Sequence, residues 1–172
     1  LNDYFRNVWG NLELSNPLNQ ILSGKDLIDK IKHENVIDIG CGKNTFKQFV
    51  PNLIGIDPAF SEADYKMTLE QFSIINKELY DVALCLGSIN FGDIQYIESQ
   101  IKLVSDMLKP KARIYWRCNP GLKDHGNTDC ESIDFYPWSF DDHISLSEKF
   151  GFKLMELRWD NNNRIYAEWY KK

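Results

Sequence analysis

Cysteine is scarce in this chain: Cys41, Cys85, Cys118 and Cys130 are the four in 172 residues. They are too few and too dispersed for a disulfide framework, and two lie in apolar, strand-like segments, so reduced thiols in a cytoplasmic compartment are expected. Long hydrophobic runs are absent. The longest unbroken one is Val82 to Leu86, far short of the roughly 20 residues of a membrane-spanning helix. The opening Leu1-Asn2-Asp3 shows no signal-peptide pattern. An excess of basic charge is also lacking, with 20 Lys and Arg against 25 Asp and Glu and a net charge of −5. The basic residues are scattered, and the densest group is Lys171-Lys172. Long nucleic acid, which binds through clustered cations, is therefore not the expected partner, leaving room only for a tRNA or cap substrate held by a local patch. Repeats, low-complexity tracts and linkers are missing too, so residues 1–172 are expected to form one domain. With 43% hydrophobic and 26% charged residues, the chain has globular composition.

What is present alternates between strand and helix patterns. Residues 4–31 read as helical, with Asn16-Pro17 as a cap and first turn, so that residues 1–33 form an N-terminal helical cap. Strands are expected at 35–39, 53–57, around 65–68, 81–86 and 112–117. After Asp81 the fourth is apolar, as a strand buried on both faces should be. A brief helix carrying Phe46 and Phe49 ends at Pro51, and another covers 69–75. Ile94, Ile97, Ile101, Val104 and Leu108 fall at alternating three- and four-residue steps, one apolar helical stripe closed by Pro110. A helix over 139–150 leads to two closing strands, 152–159 and 164–170, joined through Asp160-Asn161-Asn162-Asn163. The sum is a doubly wound α/β sheet, mostly parallel and Rossmann-like, with seven strands and a C-terminal antiparallel hairpin.

Val36-Ile37-Asp38-Ile39-Gly40-Cys41-Gly42 is the most informative stretch. A glycine turn between a strand and a helix lets a ligand press against bare backbone. Asp57, at the end of the second strand, stands where a ribose diol is gripped by paired hydrogen bonds. The bland alternative is a structural turn with a capping aspartate. A dinucleotide fingerprint wants a third glycine at position 45, where the chain has Thr45, and Asp38 would repel its phosphates. S-adenosylmethionine carries a sulfonium and an ammonium and no phosphate, so the charge logic selects it.

These residues resemble the first motif of the class I S-adenosylmethionine-dependent methyltransferases. Leu53-Ile54-Gly55-Ile56-Asp57 is similar to that family's second motif, and Tyr80-Asp81-Val82-Ala83-Leu84-Cys85-Leu86-Gly87-Ser88 to the strand ending beside the transferred methyl. Met107-Leu108-Lys109-Pro110-Lys111-Ala112-Arg113-Ile114 looks like the lead into its fifth strand. The resemblance implies a methyltransferase with Asp38, Gly40, Cys41, Gly42, Asp57, Pro58, Leu86 and Gly87 around the cofactor. The chain departs from the family at Asn44, where a third glycine often stands, and at Lys111-Ala112, where a glycine pair does.

The motifs of nucleic-acid base methyltransferases are absent after the fourth strand, which points to a small or medium-sized acceptor. Methyl transfer needs in-line placement more than acid–base machinery. A hydroxyl or amine acceptor can still require removal of one proton, for which His125, Asp124 and Asp129 are candidates, with Ser88 and Asn90 as polar positioning groups. His125 also reads as a plain surface histidine. The long segment 118–137 is expected to be an acceptor-side loop, with Arg117 and Asn119 at its root and Tyr136 and Trp138 at its exit. Those aromatics either line an acceptor pocket or pin the loop to the core. Cys118, His125 and Cys130 fit no zinc spacing, so no metal is expected. Two other readings stay open: another enzyme of the same scaffold, a lyase or propylamine transferase, and a module that binds the cofactor without chemistry.

Overall fold

A computed structural model describes residues 25–122, 133–160 and 163–172. Residues 1–24 of the N-terminal helical cap therefore lie outside the described residues, as do His125, Asp124, Asp129 and Cys130. Six strands make one sheet: β1 (Val36–Ile39), β2 (Leu53–Ile56), β3 (Tyr80–Leu86), β4 (Leu108–Cys118), β5 (Phe152–Trp159) and β6 (Ile165–Lys171). Their order is β2-β1-β3-β4-β6-β5. The first four run parallel, whereas β6 is antiparallel to β4 and β5 antiparallel to β6. Connections from β1 and β3 depart in opposite directions, which makes the carboxyl ends of these two strands the switch point where such sheets bind ligands.

Alternate residues of each strand feed two cores. Ile37, Ile39, Ala83, Cys85, Ile114 and Trp116 face α2 (Leu69–Ile75), α3 (Ile94–Asp106) and α4 (Phe140–Lys149). Val36, Val82, Leu84 and Tyr115 face the other way, onto Leu27 and Ile31 of the short turn and helix that end in α1 (Ile28–Ile31). The helical stripe is core as expected, with Ile97, Ile101 and Val104 wholly buried. The helix stops at Asp106, however, and Pro110 lies within β4. Both α2 and α4 begin with a capping box, Thr68 with Gln71 and Ser139 with Asp142, satisfying N–H groups that the first turn leaves open.

The strand expected around 65–68 shrinks to a single bridge between Ile56 and Tyr65. Tyr65 exchanges backbone bonds with β2, donating to Gly55 O and accepting from Asp57 N–H, both at 3.2 Å. The next donor along this edge, Gly55 N–H, is taken by the Asp64 carboxylate at 2.8 Å. On the other side, where residues 66–68 would have to pair beyond Asp57, Ala59 N–H is taken by Asp57 Oδ1 at 2.7 Å and Met67 N–H turns back to Tyr65 O at 3.0 Å, so pairing stops there and Thr68 opens α2. Lys111 adopts φ +65°, the left-handed conformation expected of a glycine there, in the irregular first part of β4.

Beneath α4, His143 is fully buried among Trp116, Trp138 and Trp169, stacked 4.7 Å from the Trp138 ring. Neither ring nitrogen has a hydrogen-bond partner among the described residues. Burial pushes its pKa down to about 4, only partly countered by Asp142. It is a neutral core histidine.

Candidate functional site

The turn after β1 is built by left-handed glycines. Gly40 has φ +70° and Gly42 φ +55°, a region that side chains avoid. Gly40 N–H and Cys41 N–H both donate to Ile56 O, at 2.9 and 3.1 Å, folding the turn back over the end of β2. A Cβ on Gly40 would stand 2.4 Å from Ser88 Cβ. The turn therefore packs directly against the loop after β3, and Gly40 is required by that contact as well as by its φ.

Asp57 ties the two halves of this wall together. Its Oδ2 accepts from Gly42 N–H at 3.0 Å, and its Oδ1 accepts from Ala59 and Phe60 N–H at 2.7 and 3.2 Å. Burial raises its pKa against the lowering by these three bonds. A carboxylate offers about four acceptor sites, so the three bonds leave room for one more donor. Half-buried Pro58 follows it.

Asp38 lies inside β1, opposite Gly55 of β2 and Leu84 of β3. It is only 4% exposed, and no described residue donates a hydrogen bond to its carboxyl. Burial raises its pKa to about 7, and the neighbouring Asp57 charge adds to the effect. A buried carboxyl without a donor costs the fold free energy and favours the arrival of a cation. The same acids and its own burial hold the Cys41 thiol firmly protonated, which makes it a wall group and no nucleophile.

Asn44 stands where a further glycine was a familiar alternative, and it takes φ +56° itself. Its Nδ2 donates to Glu62 O at 3.1 Å and to Asp64 Oδ2 at 3.2 Å, anchoring the outer rim. Gly55 leaves the space this requires, since a Cβ there would meet Asn44 Oδ1 at 2.4 Å.

On the other side of the switch point, Leu86 and Gly87 (φ +111°) end β3, half-buried. The Ser88 hydroxyl is buried and unpartnered among the described residues. Asn90 spends its amide on the scaffold, Nδ2 donating to Gly87 O at 2.8 Å and Oδ1 accepting from Asn119 N–H at 3.0 Å. Arg117 is ion-paired through Nε with Asp160. Asn119 is buried, its carbonyl accepting from Trp138 N–H at 3.2 Å. Trp138, 1% exposed, donates Nε1–H to Ile89 O at 2.8 Å and packs in the tryptophan core. Tyr136 donates its hydroxyl to Asp142 at 2.9 Å. Of the two roles open to these aromatics, Trp138 takes that of a pin.

The residues expected at the cofactor are thus brought together at the ends of β1, β2 and β3, while the described residues expected at the acceptor largely hold loops to one another. Arg164 was missed by the sequence reading, which counted it only as a strand residue. It precedes β6 at the same end of the sheet, where Ile165 pairs with Cys118 of β4, and its side chain reaches Gly87. The signal available was topological: a returning antiparallel strand begins beside the carboxyl end of the strand it joins.

The fold and the arrangement of its switch point define a Rossmann-like methyltransferase fold with a six-stranded mixed sheet. Among solved structures, the chain is similar to the 1,6-didemethyltoxoflavin-N1-methyltransferase of Burkholderia thailandensis, crystallised with 1,6-didemethyltoxoflavin and S-adenosylhomocysteine. The TM-score is 0.68 at 14% identity, over 97% of this chain and 82% of that one. It is similar also to an S-adenosylmethionine-dependent methyltransferase from Archaeoglobus fulgidus, with TM-score 0.70 and 16% identity over 96% and 100% of the two chains. A third is the magnesium protoporphyrin IX methyltransferase of Synechocystis with bound S-adenosylmethionine, with TM-score 0.62 and 12% identity over 90% and 80%. No protein-family model and no curated protein matches the chain. No helix among the described residues is long and apolar enough to cross a membrane.

Proposed function

We propose that the protein transfers a methyl group from S-adenosylmethionine to a small-molecule acceptor. The observation that carries this reading is Asp38, a buried carboxyl with no hydrogen-bond donor among the described residues, at the foot of a left-handed glycine turn. A phosphate-bearing dinucleotide would be repelled there, whereas a cationic ligand would supply the missing partner. Gly40, Cys41 and Gly42 would admit the methionine portion, and Asp57 with Pro58 would border the ribose. Leu86 and Gly87 would line the path of the methyl. When bound, S-adenosylmethionine supplies a methyl on a sulfonium, an already activated leaving group.

The chain's own contribution is placement. Asn90 fixes the loop after β3 to the end of β4, which keeps Ser88 against the glycine turn. Arg117, Asn119, Tyr136 and Trp138 act on the acceptor by holding the surrounding loops in register. His125 is our proposed base for an acceptor that must lose a proton. The likeness to enzymes named for small-molecule substrates supports a small acceptor, and the buried thiols Cys85 and Cys118 support a reducing, cytoplasmic setting.

Product analysis tests this. Incubation with S-adenosylmethionine and a metabolite extract should release S-adenosylhomocysteine. Methylthioadenosine instead would indicate a propylamine transferase, and cofactor binding with no product would indicate a non-catalytic module.

A further inference from the structure

One side of the switch point carries two acids, the other two arginines with one aspartate. Asp38 lies one residue before the end of β1, and Asp57 directly follows β2. Across from them, Arg164 precedes β6 beside the end of β4, and it is a buried residue, 9% exposed. Its backbone is locked in place, N–H donating to Asp160 Oδ1 at 2.9 Å and carbonyl accepting from Asp160 N–H at 2.8 Å. The same carboxylate receives Arg117 Nε, so the turn before β6 is braced against β4. From this anchored backbone the guanidinium reaches past the end of β4 to the end of β3.

There it lies beside the bare backbone of Gly87. Gly87 has no side chain, and a Cβ placed on it would stand 3.5 Å from Arg164 Nη1 and 4.0 Å from Asn90 Nδ2. A guanidinium presents five N–H donors in a planar fork that matches a carboxylate, and it can serve the fold and a ligand together. Gly87 also closes the strand that, on the methyl-transfer reading, borders the transferred methyl. We propose that Arg164 receives a carboxylate of the methyl acceptor, so that the acceptor is a small organic acid bearing its nucleophilic atom elsewhere in the molecule. This rests on the methyl-transfer reading and deepens it by fixing the charge class of the substrate. The cleft then matches the reaction, with acids beneath the cationic donor and a cation beneath the anionic acceptor.

The test uses benzoate and its neutral counterpart benzamide as probes, titrated calorimetrically into the full chain saturated with S-adenosylhomocysteine. Benzoate should bind at least ten-fold more tightly than benzamide. Arg164→Met should abolish that preference while S-adenosylhomocysteine affinity stays within about two-fold, and Arg164→Lys should restore part of it. Equal binding of the two probes, binding of neither, or an undiminished preference in Arg164→Met would overturn the proposal. If the Met variant fails to fold, the wild-type comparison of benzoate with benzamide decides alone. Failure of S-adenosylhomocysteine to bind at all would instead strike the methyl-transfer reading, so the two failures are distinguishable.

Discussion

Replacing Asp38 by Asn should flatten one part of the pH dependence of stability of the cofactor-free protein. Burial and the Asp57 charge raise the folded-state pKa from 3.8 to about 7. For an acid shifted upward, the folded state holds the proton more tightly than the unfolded state between those values. Stability contributed by protonated Asp38 is then fully present below pH 3.8 and is lost as pH rises to about 7. At about 1.4 kcal/mol per pKa unit, the loss amounts to about 4 kcal/mol, an upper figure because burial relaxes in solution. An Asn of the same shape carries no proton to lose. Its absolute stability can shift by about 1–3 kcal/mol for an unpaired buried amide, so the diagnostic quantity is the slope. Urea denaturation of both proteins across about pH 4 to 8 measures it. Titrations that do not couple to Asp38 act equally in both, so the difference between the two curves isolates Asp38 together with its coupling to Asp57. The wild type should lose stability relative to the variant as pH rises, and saturating S-adenosylmethionine should return much of that loss to the wild type only. Parallel curves would refute the argument, because Asp38 would then have to be hydrogen-bonded or solvated.

Two further outcomes follow from the same packing. His143, with its pKa pushed down to about 4 in the tryptophan cluster, contributes stability that is complete above its unfolded pKa near 6.5 and lost as pH falls toward 4. His143→Phe should remove about 3 kcal/mol of acid sensitivity in that window, read from denaturation at several pH values, and an unchanged acid slope would contradict burial in the neutral form. Gly40→Ala should lower stability by about 2–3 kcal/mol, since it adds a left-handed φ penalty to a Cβ 2.4 Å from Ser88 Cβ. Pairing it with Ser88→Gly in a double-mutant cycle should recover part of the loss, whereas strict additivity would mean that the two loops do not press on each other.

The apolar runs and the glycine turn are legible in sequence because their physics is local. Val82 to Leu86 needs no partner to read as a doubly covered strand, and a left-handed turn after a strand shows in Gly40 and Gly42. The edge of the sheet is not legible in that way. Whether residues 65–68 pair along that edge depends on the acceptors of Ala59 N–H and Met67 N–H, and Asp57 Oδ1 and Tyr65 O take them, a competition with the ladder that strand-forming residue types do not reveal. The acceptor side suffers most. Asn90, Arg117, Tyr136 and Trp138 have the residue types of a substrate site, yet each group's partner is set by topology: Asn119, Asp160, Asp142 and Ile89. Arg164 is the converse. It gives no local signal, and only the antiparallel return of β6 carries it to the end of β3.

Titration of the full chain with S-adenosylhomocysteine, S-adenosylmethionine and NAD, followed by calorimetry at one buffer and temperature, tests the central claim most directly. Asp38 without a donor, the Gly40–Gly42 turn and Asp57 together predict saturable one-to-one binding of both adenosyl ligands and no heat of binding with NAD. Saturable binding of NAD with none of S-adenosylmethionine would contradict the account, because phosphates would then be sitting against the carboxyl that should exclude them.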